Sequence, residues 1–115
     1  MSLKTEKLGK TFLKEISRII LEEIKDPKIK FVTLTNCDIT NDLSFAKVSF
    51  LTLNRDKKEE VEETLNKAAN FIELELSKCV KVRKMPQISF KYDQSVEYGE
   101  NIERKLKEIH EKENN

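Results

Sequence analysis

The sequence is poor in the residues on which most catalytic and metal-binding devices depend. In 115 residues it has one histidine, two cysteines, two glycines, two prolines and no tryptophan. The lone His110 lies close to the C-terminus, so a Cys-His or Ser-His nucleophilic pair has no base to build on. Cys37 and Cys79 show neither metal-ligand nor redox spacing and are expected to be reduced and packed. Gly9 and Gly99 stand far apart, which excludes a glycine loop cradling a phosphate. No apolar run approaches the roughly 18 residues of a membrane span. The first residues, Met1 to Lys7, lack the apolar core of a secretory signal, which points to the cytoplasm and away from membranes. The carboxylates fall on helix faces where solvation explains them. The reading is therefore of a protein that is not an enzyme, with no catalytic residue, metal or cofactor expected.

What is present is charge, arranged unevenly. Hydrophobic and charged residues each make up 37% of the chain, with a net charge of +1. That composition describes one charge-rich globular domain spanning residues 1–115. Residues 57–76 carry a net −3, residues 77–92 a net +5 without a single acid, and residues 93–115 a net −3. A near-neutral chain with one cationic stretch would need a docking surface of defined shape to hold nucleic acid, since about five phosphate contacts give only moderate affinity at physiological salt.

Periodicity supplies the elements. Leu8, Phe12, Ile16, Ile19, Ile20 and Ile24 form one helical stripe, predicting a helix from Thr5 to Lys25 that Asp26-Pro27 ends. Phe31 to Thr40 is rich in β-branched residues and reads as a strand. Its apolar parity slips after Leu34, predicting a bulge near Thr35-Asn36. Asn41-Asp42 turns the chain into a second strand, Phe45 to Leu53. Asp56, with Glu59 three residues on, is placed to cap the next helix. From Glu59 onward, Val61, Leu65, Ala68, Ile72 and Leu76 mark one helical face. Asn70 interrupts it, so a kinked helix pair is expected at Ala68-Ala69-Asn70. A third strand runs from Gln87 to Tyr92. Asp93 to Ser95 begins a last helix striped by Ile102, Leu106 and Ile109, with the tail from about residue 110 fraying. The order α-β-β-α-α-β-α predicts an α+β domain, a three-stranded mixed sheet with helices on one face.

The basic stretch from Lys78 to Lys84 beside the helix break admits two readings: a surface that meets an anion such as nucleic acid, or a solvated charge run. On the first reading the candidate RNA-binding residues are Lys67, Lys78, Lys81, Arg83 and Lys84, because phosphate contact needs charge more than geometry. Lys28, Lys30, Lys47 and Lys91 are secondary candidates. Phe71, Tyr92 and Tyr98 suit core packing better than base stacking.

Five linked segments give the chain a resemblance. Ile24-Lys25-Asp26-Pro27-Lys28-Ile29, Phe31 to Thr35, Asp42 to Val48, Lys67-Ala68-Ala69-Asn70-Phe71-Ile72 and Ser95 to Gly99 stand in the order and spacing of the ribosome-binding factor A family. The resemblance implies a type II KH-like fold in which a kinked helix pair around Ala-x-Gly replaces the usual Gly-x-x-Gly loop. Here Asn70 stands at the family's glycine and is expected to set the backbone of the kink, so it joins the candidate RNA-binding residues. The resemblance further implies a non-enzymatic assembly factor. It would bind the free or immature 30S subunit through 16S rRNA, assist late rRNA processing and leave with help from a GTPase. Growth after cold shock is the associated setting, and a monomer is expected. The competing reading is a generic KH-like module for single-stranded RNA.

Overall fold

The computed structural model describes residues 3–29, 31–53 and 55–95. Helix α1 (Leu3–Glu23) is followed by a 3-10 turn (Pro27–Ile29), strands β1 (Val32–Ile39) and β2 (Phe45–Thr52), and a second 3-10 turn (Arg55–Lys57). Helices α2 (Lys58–Lys67) and α3 (Ala69–Cys79) then lead to strand β3 (Gln87–Tyr92). The expected final helix, Tyr98 and Lys30 lie outside the described residues.

The sheet has the order β1-β2-β3, with β2 antiparallel to β1 and parallel to β3, so it is mixed as the element order required. Strict alternation decides its faces. Ala46, Val48 and Phe50 on β2, and Ile88, Phe90 and Tyr92 on β3, are buried against the helices. Phe45, Lys47, Gln87, Ser89 and Lys91 point the other way and are exposed. The core closes with Phe12, Ile16 and Ile19 of α1, Val61 and Leu65 of α2, and Ile72 and Leu76 of α3.

The two edge strands each carry a local device. The register of β1 against β2 shifts between Leu34 and Asn36, leaving Thr35 as the extra residue of a bulge where the parity slip placed one. Its freed hydroxyl donates to Asp93 Oδ2 at 2.7 Å, tying the bulge to the chain after β3. The outward edge of β3 is sealed by side chains. The N–H groups of Ile88, Phe90 and Tyr92 donate to Glu73 Oε1 (2.7 Å), Asn66 Oδ1 (2.8 Å) and Glu62 Oε2 (3.4 Å). The Asn66 amide also donates to Phe90 O at 3.1 Å. A short edge strand thus offers no open ladder to a second chain. Glu62 and Glu73, expected on solvated faces, serve this edge instead.

Four expectations are corrected. Helix α1 ends at Glu23 rather than Lys25, because Asp26 accepts the Lys28 N–H (2.9 Å) and starts the 3-10 turn that buries Ile29. Strand β2 stops at Thr52, leaving Leu53 78% exposed. Asp56 caps nothing: it sits inside the 3-10 turn, Lys57 takes the N-cap position of α2, and no side chain caps that helix. Cys79 is exposed and only Cys37 is packed.

The break between α2 and α3 falls at a single residue, Ala68, with φ −88° and ψ −1°. Its N–H is shared between Thr64 O (3.2 Å) and Leu65 O (3.1 Å), the tightening common at a helix end, and its carbonyl accepts from Ile72 N–H at 3.0 Å. Asn70 is therefore not the residue that turns the chain; it lies one residue inside α3 on an exposed face. No left-handed backbone is needed there, so an ordinary residue at 68 suffices where the sequence pattern pointed to Asn70. Left-handed geometry occurs elsewhere, at Leu43 (φ 62°) in the turn between β1 and β2. A leucine held there costs about 1–2 kcal/mol relative to an ordinary conformation.

Candidate nucleic-acid interface

The basic segment is held in place by the β1–β2 turn. Asp42 organises that turn: its carboxylate accepts from the Thr40 hydroxyl (2.8 Å), the Ser44 hydroxyl (2.8 Å) and the Ser44 N–H (3.0 Å). These bonds, the Thr40 hydroxyl foremost, hold the Asp42 carboxyl at about 2, below the usual carboxylate range. Gln87 N–H donates to Ser44 O at 3.0 Å, and the Lys84 ammonium donates to the Ser44 hydroxyl at 3.3 Å. Val80 and Pro86 are buried at either end of the segment, so the chain from Lys81 to Lys84 arches over the turn with its cations outward.

The sequence-predicted residues do not form one surface. Lys78, Lys81, Arg83 and Lys84 gather at the C-terminal end of α3. Lys67 and Asn70 lie at its other end, about 16 Å away along a helix rising 1.5 Å per residue. Lys91 points from β3 on the sheet's open face, opposite Ser49 and away from the helices; Lys47 lies on the same face, opposite Ser89. Two of the candidates are also engaged: Lys67 pairs with Glu63 (3.2 Å) and Lys78 with Glu75 (3.0 Å). Lys28 pairs with Glu60 at 3.3 Å. Phe71 is 41% exposed on α3 rather than packed, whereas Tyr92 is buried edge-on against Phe50 with ring centroids 5.7 Å apart.

The structure adds cations that charge counting passed over. Lys4 and Lys7, in the first turns of α1, face Lys81 and Arg83 across a concavity of about 490 Å3. Among the described residues no acidic side chain lines it and none of the four cations has an ion pair. A sequence signal was available: Lys4, Lys7, Leu8 and Thr11 recur at i, i+3, i+4 and i+7, one face of a helix. What sequence could not supply was the partner of that face. Gly9 provides it, since a Cβ there would stand 2.7 Å from Cys37 O, so α1 rests directly on the β1 backbone. Burial pushes the Cys37 thiol up to about 12, which leaves it a packing residue without nucleophilic character. Among the described residues no group of His, Cys, Asp and Glu could hold a metal ion, and no helix is long and apolar enough to cross a membrane.

The family model for ribosome-binding factor A matches residues 4–106. The chain belongs to the ribosome-binding factor A family. Solved structures agree on its KH-like fold. The crystal structure of ribosome-binding factor A from Thermus thermophilus is 18% identical, covering 76% of this chain and 93% of that one, with a TM-score of 0.71. A Thermotoga maritima protein solved by NMR, a putative ribosome binding factor A, is 22% identical over 79% of this chain and 88% of that one, with a TM-score of 0.66. A homology model of Thermus thermophilus ribosome binding factor A, fitted into the cryo-EM map of a 30S complex, is 16% identical over 75% of this chain and 91% of that one, with a TM-score of 0.63. At these identities the likeness is one of fold, while the family match spans nearly the whole sequence.

Proposed function

We propose that the protein is a non-catalytic assembly factor that binds the free or immature 30S subunit through 16S rRNA. In this reading it assists late processing of that RNA in the cytoplasm, acts as a monomer and is released with help from a ribosome-assembly GTPase. The observation that carries the reading is the family match over residues 4–106. The cation distribution supports it: in a near-neutral chain residues 77–92 carry a net +5 without an acid, which favours a shaped RNA surface over indiscriminate phosphate binding.

Co-sedimentation at near-physiological salt tests it. The protein should travel with free small subunits and be absent from large subunits and translating ribosomes. Reversing Arg83 and Lys84 to Glu should release it from the small subunit and flatten the salt dependence of binding. Protein left at the top of the gradient, or spread evenly over all particles, would overturn the assignment in favour of a generic module for single-stranded RNA.

A further inference from the structure

The concavity between α1 and the 81–84 segment has a chemistry of its own, separate from the α2–α3 break. Its rim is cationic, with Lys4 and Lys7 on one side and Lys81 and Arg83 on the other. Its floor is apolar: Leu8, Leu43 and Val82 line it and are only half-buried, so each keeps surface to give a ligand. At about 490 Å3 it falls within the range of about 300–1,000 Å3 usual for ligand pockets. Leu43, the only non-glycine residue with positive φ among the described residues, forms part of that floor. Backbone strain of this kind gathers where a side chain is held for a purpose.

We propose that this concavity seats one unpaired nucleotide of an RNA strand. Its base lies against Leu8, Leu43 and Val82, and its flanking phosphates lie on Lys4, Lys7, Lys81 and Arg83. The proposal rests on the reading that the chain binds rRNA and adds which part of the surface does so and in what form it takes the RNA. Charge complementarity selects a polyanion, since four cations surround the opening with neither an ion pair nor an acid beside them among the described residues. The apolar floor selects a strand over a duplex. Bases inside a helix are stacked and cannot enter, whereas an extruded base offers a flat apolar face of matching size. Asn41, on the wall, supplies an amide able to both donate and accept at a base edge.

Binding of a labelled uridine hexamer to the full chain tests the site, alongside its abasic counterpart of equal length and charge. The intact hexamer should bind several-fold more tightly than the abasic one. Lys4→Gln with Lys7→Gln removes two phosphate contacts. With a salt slope of about 0.7 per contact on single strands, affinity should fall about tenfold near 0.15 M salt and the slope by about 1.4. Leu43→Asn, which keeps a residue suited to left-handed backbone, should narrow the gap between the two hexamers while the thermal melt stays in place. The equal charge change Lys10→Gln with Lys25→Gln, the first on another face of α1 and the second beyond its C-terminal end, should leave binding within about twofold of wild type. Equal affinity for both hexamers overturns the base seat. Unchanged hexamer and 30S binding in the Lys4/Lys7 variant overturns the site while the ribosomal assignment stands. Wild-type protein that holds the hexamer yet ignores 30S particles supports the site and removes the ribosomal assignment.

Discussion

Replacing Gly9 by Ala isolates the contact on which the α1–sheet arrangement depends. In an exposed helix the change would stabilise by about 1 kcal/mol, because alanine gives up less backbone freedom than glycine. Here the new methyl would meet Cys37 O at 2.7 Å, and ordinary contact starts at 3.4 Å, so α1 must lift by about 0.7 Å. The obstacle is backbone in the middle of β1 and has no rotamer to escape into. A radial gap of that size forfeits roughly a quarter to a half of the dispersion energy of each contact it opens. The contacts at stake are those of Phe12, Ile16 and Ile19, all fully buried. Overpacking of this kind costs about 1–3 kcal/mol. Against backbone that cannot yield, the upper part of that range applies, about 2–3 kcal/mol, so the strain outweighs the propensity gain and a net loss of about 1–2 kcal/mol is expected. For a domain of about 100 residues that lowers the melting temperature by roughly 5–15 °C. Thermal and urea unfolding followed by circular dichroism, with Lys10→Ala as the exposed-helix reference, would measure it. A Gly9→Ala protein as stable as wild type, or more so, would refute the close approach and with it the placement of Lys4 and Lys7 opposite Lys81.

Two further outcomes follow from the hydrogen bonds. Asn66→Ala removes the partner of both the Phe90 N–H and its carbonyl, leaving part-buried backbone groups unmatched. It should cost about 1–3 kcal/mol in urea unfolding, and a loss under about 0.5 kcal/mol would show that water replaces the side chain freely. Asp42, held at about 2 against an ordinary value near 3.9, contributes stability above about pH 4 that is lost as pH falls toward 2. Asp42→Asn should melt below wild type at pH 7, and the gap should narrow across that window; a gap constant from pH 7 to pH 2 would refute the turn's dependence on the ionised carboxylate.

The fold was legible where the signal was local. The α1 stripe, the alternation in β2 and β3 and the parity slip at Thr35 each report which side of an element meets the core, and burial is what shapes the sequence there. The break in the helical pair was legible only to within two residues. Asn70 drew attention because asparagine favours turns, yet Ala68 turns the chain, since a one-residue tightening of helical hydrogen bonds stays in right-handed backbone and needs no residue suited to the left-handed region. Glu62 and Glu73 were misread for a related reason. On a helix, a polar residue that serves an edge strand and one that faces water have the same spacing, and only the strand beside it tells them apart.

The candidate site was half legible, and the missing half gives it its shape. A count along the chain finds Lys78 to Lys84 because those cations are contiguous; it cannot find Lys4 and Lys7, which join them only after α1 settles onto β1. The same count groups Lys67 and Lys91 with the segment although the fold sends them to different surfaces. Contiguity therefore overstates the size of the surface and understates its curvature. Cations collected on a single arch would make a convex ridge, suited to the outside of a duplex. Lysines facing them from α1 turn the ridge into one wall of a cleft, and the apolar residues between the walls set a limit on what can enter. The discrimination expected of this protein, for RNA with a base free of its stack, follows from two elements meeting and is written in neither alone.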